Sequence, residues 1–430
     1  MKRAYVEVYG CAYAQAEGEM IRGMLSQLGF LEVTNPEGAD LIVIVTCHVK
    51  EATEQKILHR IKSLGEKYPE KNLIVYGCLP QAYPEKVRNA NPKASLLGNL
   101  SLHTFPECVK KVMSGERIEA LHEIKKPKLG FPRGLKNKVI GIVPIAEGCA
   151  GACAYCSTRF SRRKIFSFPE ELILEEIKAF LKAGCKEIWL TAQDTAAYGL
   201  DTGSSLPELL RKICTLEGKF FVRVGMMNPA LVKKMCAELI EAFECEKIYK
   251  FLHIPVQSGS NKILKFMRRG YKVEEFIEMA KAFRSAFPML QLWTDLIVGF
   301  PQESEQDFEK TKELIIKIKP DWVNISRFSV RDKTEAAKMK QVSTEIKKAR
   351  SKELSEIVGK VVEEVNQKWV NWEGIALVSE KGKEGVVARN FAYKPIVLKK
   401  SCELLGKFVK VRIVNAKNVL FGEVIGVLKF

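Results

Sequence analysis

Glu147-Gly148-Cys149-Ala150-Gly151-Ala152-Cys153-Ala154-Tyr155-Cys156 places three cysteines within eight residues, spaced C-x3-C-x2-C. The stretch follows an apolar, strand-like run, Val139 to Ile145, so these cysteines occupy a loop at the end of a strand. Three thiolates that close in one loop can wrap one face of a [4Fe–4S] cubane and leave its fourth iron open to a chelating ligand. Zinc knuckles also use C-x2-C pairs, but they need a second pair at a fixed distance, which the sequence does not offer here. Working outward, further strand-like segments lie at Glu187 to Thr191, Phe220 to Gly225, Phe251 to Val256, Leu290 to Val298 and Trp322 to Ile325. Helical patterns fill the gaps, among them Pro169 to Ala183 and Val273 to Ala286. Six parallel strands with intervening helices fit a partial (β/α)6 barrel with its active site at the carboxyl ends of the strands. Thr191, Gln193, Asp194, Arg223, Gln257, Ser258 and Asp295 fall at those ends and are candidates for cofactor binding, since Arg or Gln there has few other uses. The competing role for each is a hydrogen bond that caps a helix or pins a loop. His253 fits equally as a packed strand residue.

Upstream, roughly over residues 1–122, three more strand-like runs stand out: Ala4 to Tyr9, Asp40 to Val45 and Asn72 to Tyr76. Each leads into a cysteine: Gly10-Cys11, Thr46-Cys47 and Gly77-Cys78. Helix-patterned stretches, Glu17 to Leu28 and Glu51 to Lys67, lie between them. The alternation predicts a parallel α/β sheet with right-handed crossovers. One βα unit separates successive cysteines, so all three emerge at the carboxyl edge of the sheet, where open α/β sheets place ligands. They are candidate ligands of a second [4Fe–4S] cluster. A structural zinc site and three unrelated turn residues are the competing readings. The other six cysteines, Cys108, Cys185, Cys214, Cys236, Cys245 and Cys402, show no partner spacing and read as small packed residues.

Residues 123–138 read as an extended basic linker carrying Lys125, Lys126, Lys128, Arg133, Lys136 and Lys138, with Pro127 and Pro132. The central region then runs over residues 139–360. From Asn366 to Phe430 the pattern changes to five short alternating runs broken by Gly, which predicts a small antiparallel β-barrel. That segment holds twelve Lys plus Arg against five Asp plus Glu, a surplus of seven, with Trp369, Trp372, Phe391 and Tyr393 interleaved. Basic groups for phosphates and rings for unstacked bases suit a single-strand or loop-binding surface, with Arg389, Lys394, Lys399 and Lys400 as candidate RNA contacts. A basic barrel that merely caps its neighbour is the alternative.

Composition agrees with this layout. The 430 residues suffice for about three domains, and 47% apolar with 28% charged residues excludes a chain that is mainly disordered, collagen-like or stapled by disulfides. No apolar run approaches the roughly 20 residues of a membrane helix, and the amino terminus runs straight into a strand-like segment, so a soluble cytoplasmic protein is expected. Sixty-nine Lys plus Arg against fifty-one Asp plus Glu gives +18, a balance that attracts polyanions, nucleic acid first. A solubilising surface rich in Lys and Glu would give the same sign.

The central loop resembles that of the radical S-adenosylmethionine (SAM) superfamily, where an aromatic residue such as Tyr155 commonly precedes the last cysteine. The whole layout resembles the methylthiotransferases, whose N-terminal domain has dispersed cysteines in Y-G-C, T-C and G-C contexts and whose last domain is a TRAM domain. Val49 to Glu54, Trp189 to Gly199, Val222 to Pro229, His253 to Ser260 and Asn324 to Ser329 resemble the archaeal and eukaryotic type that acts on threonylcarbamoyladenosine in tRNA. The resemblance implies two [4Fe–4S] clusters, one on Cys11, Cys47 and Cys78 and one on Cys149, Cys153 and Cys156. It implies SAM bound near Tyr155, Gln193, Asp194, Arg223, Gln257 and Ser258, a tRNA anticodon arm as partner, and a reducing electron donor. A monomer is expected. One SAM would be cleaved reductively to a 5′-deoxyadenosyl radical, a second would give the methyl group, and the N-terminal cluster would deliver sulfur to C2 of the base. An aromatic C2–H is too weakly acidic for any side-chain base, so a radical route is required. Three other readings stand beside this one: a methylthiotransferase acting on isopentenyladenosine or on a ribosomal-protein aspartate, a non-catalytic Fe–S RNA-binding protein, and a zinc-binding RNA chaperone. Ala14, Val45 and Gln302 replace Asn, Asn and Gly of the family pattern. None is a cluster ligand, so hydrogen bonding and loop geometry around the ligands are what they affect.

Overall fold

The computed structural model describes residues 2–383, 385–399 and 401–428. The first region is a six-stranded parallel sheet of β1 (Arg3–Val8), β2 (Leu31–Glu32), β3 (Leu41–Thr46), β4 (Asn72–Gly77), β5 (Ser95–Gly98) and β6 (Glu119–Ala120), ordered β2-β1-β3-β4-β5-β6. Every residue of β3 is buried, because the sheet is covered on both faces. Its alternate residues divide as the pleat dictates. Leu41, Val43 and Val45 pack with Met20, Ile21 and Met24 of the Ala12–Gln27 helix, while Ile42 and Ile44 pack with Ile57 and Ile61 of the Glu51–Lys67 helix.

The central region strings β7 (Ile140–Pro144), the short hairpin β8 (Ala146–Glu147) with β9 (Phe166–Ser167), β10 (Glu187–Thr191), β11 (Phe221–Val224), β12 (Phe251–His253), β13 (Gln291–Val298) and β14 (Trp322–Arg327). The parallel order is β7-β10-β11 and β12-β13-β14, joined by a parallel bridge from Val222 to Ile248. This is the expected partial barrel of six strands. Val143, Ile188, Leu190, Val222 and Val224 face the surrounding helices, whereas Trp189, Phe221, Tyr249, Phe251 and Trp293 form a separate aromatic cluster. Ile140 and Ile142 of the edge strand β7 pack against the Ala12–Gln27 helix, which thereby ties the first region to the barrel.

The tail is a closed barrel of β15 (Glu373–Lys381), β16 (Gly385–Asn390), β17 (Pro395–Lys399), β18 (Phe408–Ala416) and β19 (Leu420–Val427), ordered β15-β16-β17-β19-β18. The expectation of a purely antiparallel barrel is corrected at one seam: β17 and β19 pair in parallel, which is how five strands close. The Thr344–Gln367 helix runs unbroken through the expected gap between residues 360 and 366. The tail docks on the amino-terminal ends of the central strands. Lys186 donates to the Gly406 carbonyl (2.9 Å), Asn137 to that of Ser379 (2.8 Å), and Lys394 pairs with Asp321 (2.7 Å). Tyr393, held at φ +62°, lies among Trp189, Tyr249, Phe251 and Trp293 and plugs the barrel from below. Trp369 and Tyr393 are thus buried, and Trp372 and Phe391 pack against the tail core, so these rings serve packing where exposed stacking platforms were expected. Cys214 and Cys245, expected to be unpaired, form a disulfide between the end of the Leu206–Cys214 helix and the loop after Phe243.

Candidate active site

Cys11, Cys47 and Cys78 follow β1, β3 and β4 at one edge of the sheet, as their spacing predicts. The glycines before two of them have a geometric reason. Gly10 sits at φ +132° and Gly77 at φ +116°, and a Cβ at Gly10 would come within 2.9 Å of the Cys47 Cβ. Ala14 packs into the same space, 3.0 Å from that position, which leaves little room for a longer side chain there. Thr46 ties two of the turns together, donating to the Tyr76 carbonyl (2.7 Å) and accepting from the Leu79 amide (3.2 Å). Cys78 lies within electrostatic reach of Cys47 and Cys11. Burial pushes the Cys78 thiol up to about 12 and raises Cys47, so metal must displace protons from both.

The central triad sits beyond the carboxyl end of β7. Gly148 opens the loop at φ +85°, where a Cβ would fall 2.0 Å from the Lys164 carbonyl oxygen; no other residue fits. The Gly148 amide donates to Gln193 Oε1 (2.6 Å), the Ala154 amide to the Met267 carbonyl (3.0 Å), and the Gly151 amide to Cys149 Sγ (3.2 Å). Arg269 donates to Cys153 Sγ (3.2 Å) and to the Pro255 carbonyl (3.1 Å), placing a cation against the ligand set. Burial, aided by Asp194, pushes Cys149 up to about 12. Among the described residues no three of His, Cys, Asp and Glu converge on a point that would hold a single metal ion. Three thiolates are the donor set of a [4Fe–4S] cubane that keeps its fourth iron open, and each triad supplies that set.

The two triads face one another across a buried seam. His48, next to Cys47, lies 3.1 Å from the hydroxyl of Ser157, next to Cys156, and 3.0 Å from that of Ser161. Burial holds the imidazole down to about 3, so it is neutral. Ser161 donates to the Thr158 carbonyl, which makes it an acceptor from Nε2–H and leaves Nδ1 to accept from Ser157. Beneath this bridge, Arg162 donates to Glu17 (2.7 and 2.8 Å), Glu147 (2.8 Å) and Cys78 Sγ (3.2 Å), while Lys128 binds Glu17 (2.8 Å) and Glu147 (2.7 Å). Asn99 donates to Glu147 as well (3.0 Å). Two acids and two bases, each with under a tenth of its side chain exposed, balance in charge. A second seam pairs buried Glu54 with Lys86 and Arg331, both at 2.9 Å.

Of the residues expected to bind SAM, Tyr155 stands beside Cys153, Cys156 and Arg269, its ring edge-on to Phe300. Gln193 spends its oxygen on the cluster loop. Asp194 caps two backbone amides, Ala196 (3.2 Å) and Asn228 (3.0 Å), yet its Oδ2 is buried without a partner, and burial raises the carboxyl to about 6. Arg223 points among Trp189, Phe251 and Tyr393, about 5 Å from each ring, with an unpaired buried Nε. Gln257 is held at φ +69° by backbone bonds to Asp295 and Ile297, an unfavourable conformation retained at the mouth of the barrel. Ser258 is fully buried and accepts from the Ser260 amide, a bond that pins the loop. His253 is more than packing: it bonds Asp295 (2.9 Å), which also takes a bond from Asn324 (2.6 Å).

The basic residues redistribute. Arg389 and Lys394, expected to meet RNA, are buried, the first paired with Glu380 and stacked on Tyr393, the second on Asp321. Lys394 thereby ties the tail to the barrel, while the Arg389 partners lie within the tail. Lys399 is exposed, and Lys400 lies outside the described residues. In the linker, Lys128 and Arg133 are pinned by acids, Arg133 by Glu176 at 2.7 Å, while Lys125, Lys126, Lys136 and Lys138 stay exposed. Arg162 is internal, but Arg159, Arg163 and Lys164 are exposed, and the last two line a cleft of about 370 Å³ with Glu123, Lys125, Ile165, Phe166 and Asp201. Sequence reasoning missed His48, Glu17, Glu147, Arg162 and Arg269 as members of the site. Only Glu147 carried a signal, as a carboxylate two residues ahead of Cys149 that a strand end does not need.

Comparison with known proteins places this geometry. Residues 143–315 match the Radical SAM superfamily, and residues 3–98 match a family described as Uncharacterized protein family UPF0004. The fold resembles the radical SAM methyltransferase TsrM of Kitasatospora setae, with a TM-score of 0.57 at 12% identity over 78% of this chain and 77% of that one. A probable threonylcarbamoyladenosine tRNA methylthiotransferase of Pyrococcus horikoshii is 44% identical over 99% of this chain and 100% of its own length. The Homo sapiens threonylcarbamoyladenosine tRNA methylthiotransferase is 32% identical over 98% of this chain and 74% of its own length. Two cysteine triads on neighbouring domains, one in a radical SAM barrel, and relatives matched over nearly all of this chain give one answer: the chain belongs to the threonylcarbamoyladenosine tRNA methylthiotransferase family.

Proposed function

We infer that the chain is a radical SAM transferase that places a methylthio group on C2 of N6-threonylcarbamoyladenosine, beside the anticodon at position 37 of tRNA. Its cofactors are two [4Fe–4S] clusters and SAM. The observation that carries the reading is the seam itself, where His48, next to Cys47, is hydrogen-bonded to Ser157, next to Cys156, so that the two cysteine loops are neighbours. When bound, these cofactors supply a radical able to take a non-acidic hydrogen, together with sulfur and a methyl group.

The protein's own part is to hold and orient. Cys11, Cys47 and Cys78 carry the auxiliary cluster, and Cys149, Cys153 and Cys156 the cluster that binds SAM. Arg269 offsets charge on the Cys153 side. The unpaired Asp194 Oδ2 and the Arg223 cation suit the amino and carboxylate ends of SAM or the polar groups of the substrate. Residues 1–122, 139–360 and 366–430 serve as the auxiliary-cluster, radical SAM and RNA-binding TRAM domains. The anticodon arm is gripped by exposed cations, Lys399 in the tail and Lys125, Arg163 and Lys164 at the cleft beside the central loop. The substrate named for the relatives favours threonylcarbamoyladenosine over isopentenyladenosine or a ribosomal aspartate. Among the described residues no helix is long and apolar enough to cross a membrane.

The test is direct. Anaerobically reconstituted protein, given SAM, a reductant and tRNA bearing N6-threonylcarbamoyladenosine, should yield the 2-methylthio nucleoside by mass spectrometry. Cleavage of SAM without that product would refute the assignment. The protein should hold about eight irons, as two four-iron clusters. C149A/C153A/C156A should keep roughly half the iron and lose SAM cleavage, whereas C11A/C47A/C78A should keep half the iron and still cleave SAM without methylthio transfer.

A further inference from the structure

Arg162 lies six residues beyond Cys156, in the short Thr158–Arg162 helix that leaves the central loop. Its guanidinium nevertheless crosses to the other domain and donates Nε–H to Cys78 Sγ at 3.2 Å. The remaining nitrogens are fixed: Nη1 on Glu17 and Glu147, Nη2 on Glu17, with the plane 4.4 Å from the Tyr13 ring centre. The side chain is 3% exposed. A fork held this firmly, in a medium that screens charge poorly, aims one charge-assisted donor at a ligand sulfur. Lys128 shares both carboxylates, so the four charges sum to zero and what remains directed at Cys78 is the Nε–H edge of the guanidinium.

We propose that Arg162 is a positioning residue through which the radical SAM domain sets the reduction potential of the auxiliary cluster. The proposal rests on Cys78 being a ligand of that cluster. Reduction adds one electron, and therefore negative charge, to the cluster; a hydrogen bond and a cation at its sulfur stabilise that added charge and raise the potential. Because the same short segment begins at Cys156, any shift of the central loop also shifts the donor on Cys78. The two clusters are in this way coupled by one peptide of seven residues, with the His48 bridge to Ser157 and Ser161 keeping the register.

The experiment is an EPR-monitored redox titration of the auxiliary cluster with dithionite as reductant. It is run on the full-length chain carrying C149A/C153A/C156A, and again on the chain with both triads intact, with SAM added to mark the central signal. R162K keeps the charge, but an ammonium seated between Glu17 and Glu147 does not reach Cys78. E17Q/R162Q removes charge and donor together while leaving the pocket neutral. At the wild-type midpoint the reduced-to-oxidised ratio should fall about tenfold in E17Q/R162Q, or 59 mV for one electron, and by a smaller factor in the same direction in R162K. Iron content should match the parent chain. An unchanged midpoint in iron-replete variants overturns the proposal. So does loss of the auxiliary iron from both variants, which would make Arg162 a support of the site and nothing more. The underlying reading fails separately: full iron retention in C11A/C47A/C78A would remove the auxiliary site itself.

Discussion

Glu17→Gln tests the seam at its most enclosed point. The Glu17 carboxylate is 1% exposed and accepts three charge-assisted hydrogen bonds, one from Lys128 and two from Arg162, at 2.7–2.8 Å. Burial alone would raise its pKa, but the Arg162 and Lys128 charges outweigh that and hold the group below the usual carboxylate range. The amide keeps the shape and loses the charge, which leaves two buried cations facing Glu147 alone. Removing one partner of a buried ion pair costs about 3–5 kcal/mol, because the partner's desolvation is no longer offset. For a unit of this size that corresponds to a fall on the order of 10 °C in the melting temperature of the transition that separates the two regions. The sign of the pH dependence follows. A carboxylate whose folded pKa lies below its unfolded value contributes stability above the unfolded pKa and loses it as pH falls through the folded one. The gap between wild type and E17Q should therefore be full at pH 7 and narrow as pH drops below the unfolded value of about 4.5. Anaerobic thermal unfolding of the metal-free protein from pH 7 to pH 4, followed by tryptophan fluorescence, measures it. E17Q/R162Q, which restores neutrality, should melt above E17Q. A loss under about 1 kcal/mol, or a gap that ignores pH, would rule out a tightly coupled buried network.

Gln302 occupies the position where the family pattern has Gly and sits at φ +68°, so Gln302→Gly should stabilise by about 0.5–1 kcal/mol despite the added freedom of the unfolded chain; denaturant midpoints read it, and a destabilised variant would mean that side-chain interactions outweigh the backbone strain. The Cys214–Cys245 disulfide closes a loop of 31 residues, so C214S should lower stability by roughly 3–4 kcal/mol under oxidising conditions and change nothing under strong reductant. Lys399 and Lys407 are both exposed in the tail, so K399E/K407E should lower the salt dependence of tRNA binding by roughly one unit of log–log slope for each phosphate left unneutralised, with SAM cleavage in the absence of tRNA intact. An unchanged slope would take those lysines out of the RNA surface.

The strands were legible because their signal is local. Glu187 to Thr191 and the Val273 to Ala286 helix appear as read, and the three cysteines of the first sheet emerge at one edge because βα units have a nearly fixed length. The cluster loop was legible for the same reason: its ligands are sequence neighbours. What the sequence hides is the meeting of distant residues. Arg162 reads as one more cation in the run Arg159 to Lys164, and only the fold brings Glu17, 145 positions away, against it. Arg389 and Lys394 mislead in the same way, since a basic residue that pairs with a buried acid looks, in sequence, like one that pairs with phosphate. The single parallel seam of the tail barrel escaped because strand direction across a closure is set by topology, not by residue pattern.

The placement of the tail changes how substrate binding must work. Both cysteine triads open at the carboxyl ends of the strands, whereas the tail is bolted to the amino-terminal ends, about one strand length or roughly 20 Å away. Its Tyr393 closes the barrel floor beneath Arg223, so removing the tail would bare Trp189, Phe221, Phe251 and Trp293 and disturb the site from below. Deletion therefore cannot separate RNA affinity from barrel integrity, while substitution of exposed lysines can. On the proposed reading, an RNA arm held by Lys399 would have to extend from the tail side of the barrel to the cluster side. The exposed cations of the linker and the cleft, Lys125, Arg163 and Lys164, stand at the other end of that path, on the cluster side. Two spaced grips of this kind would fix the orientation of the arm as well as its affinity, which is what presenting one base out of many to a radical demands.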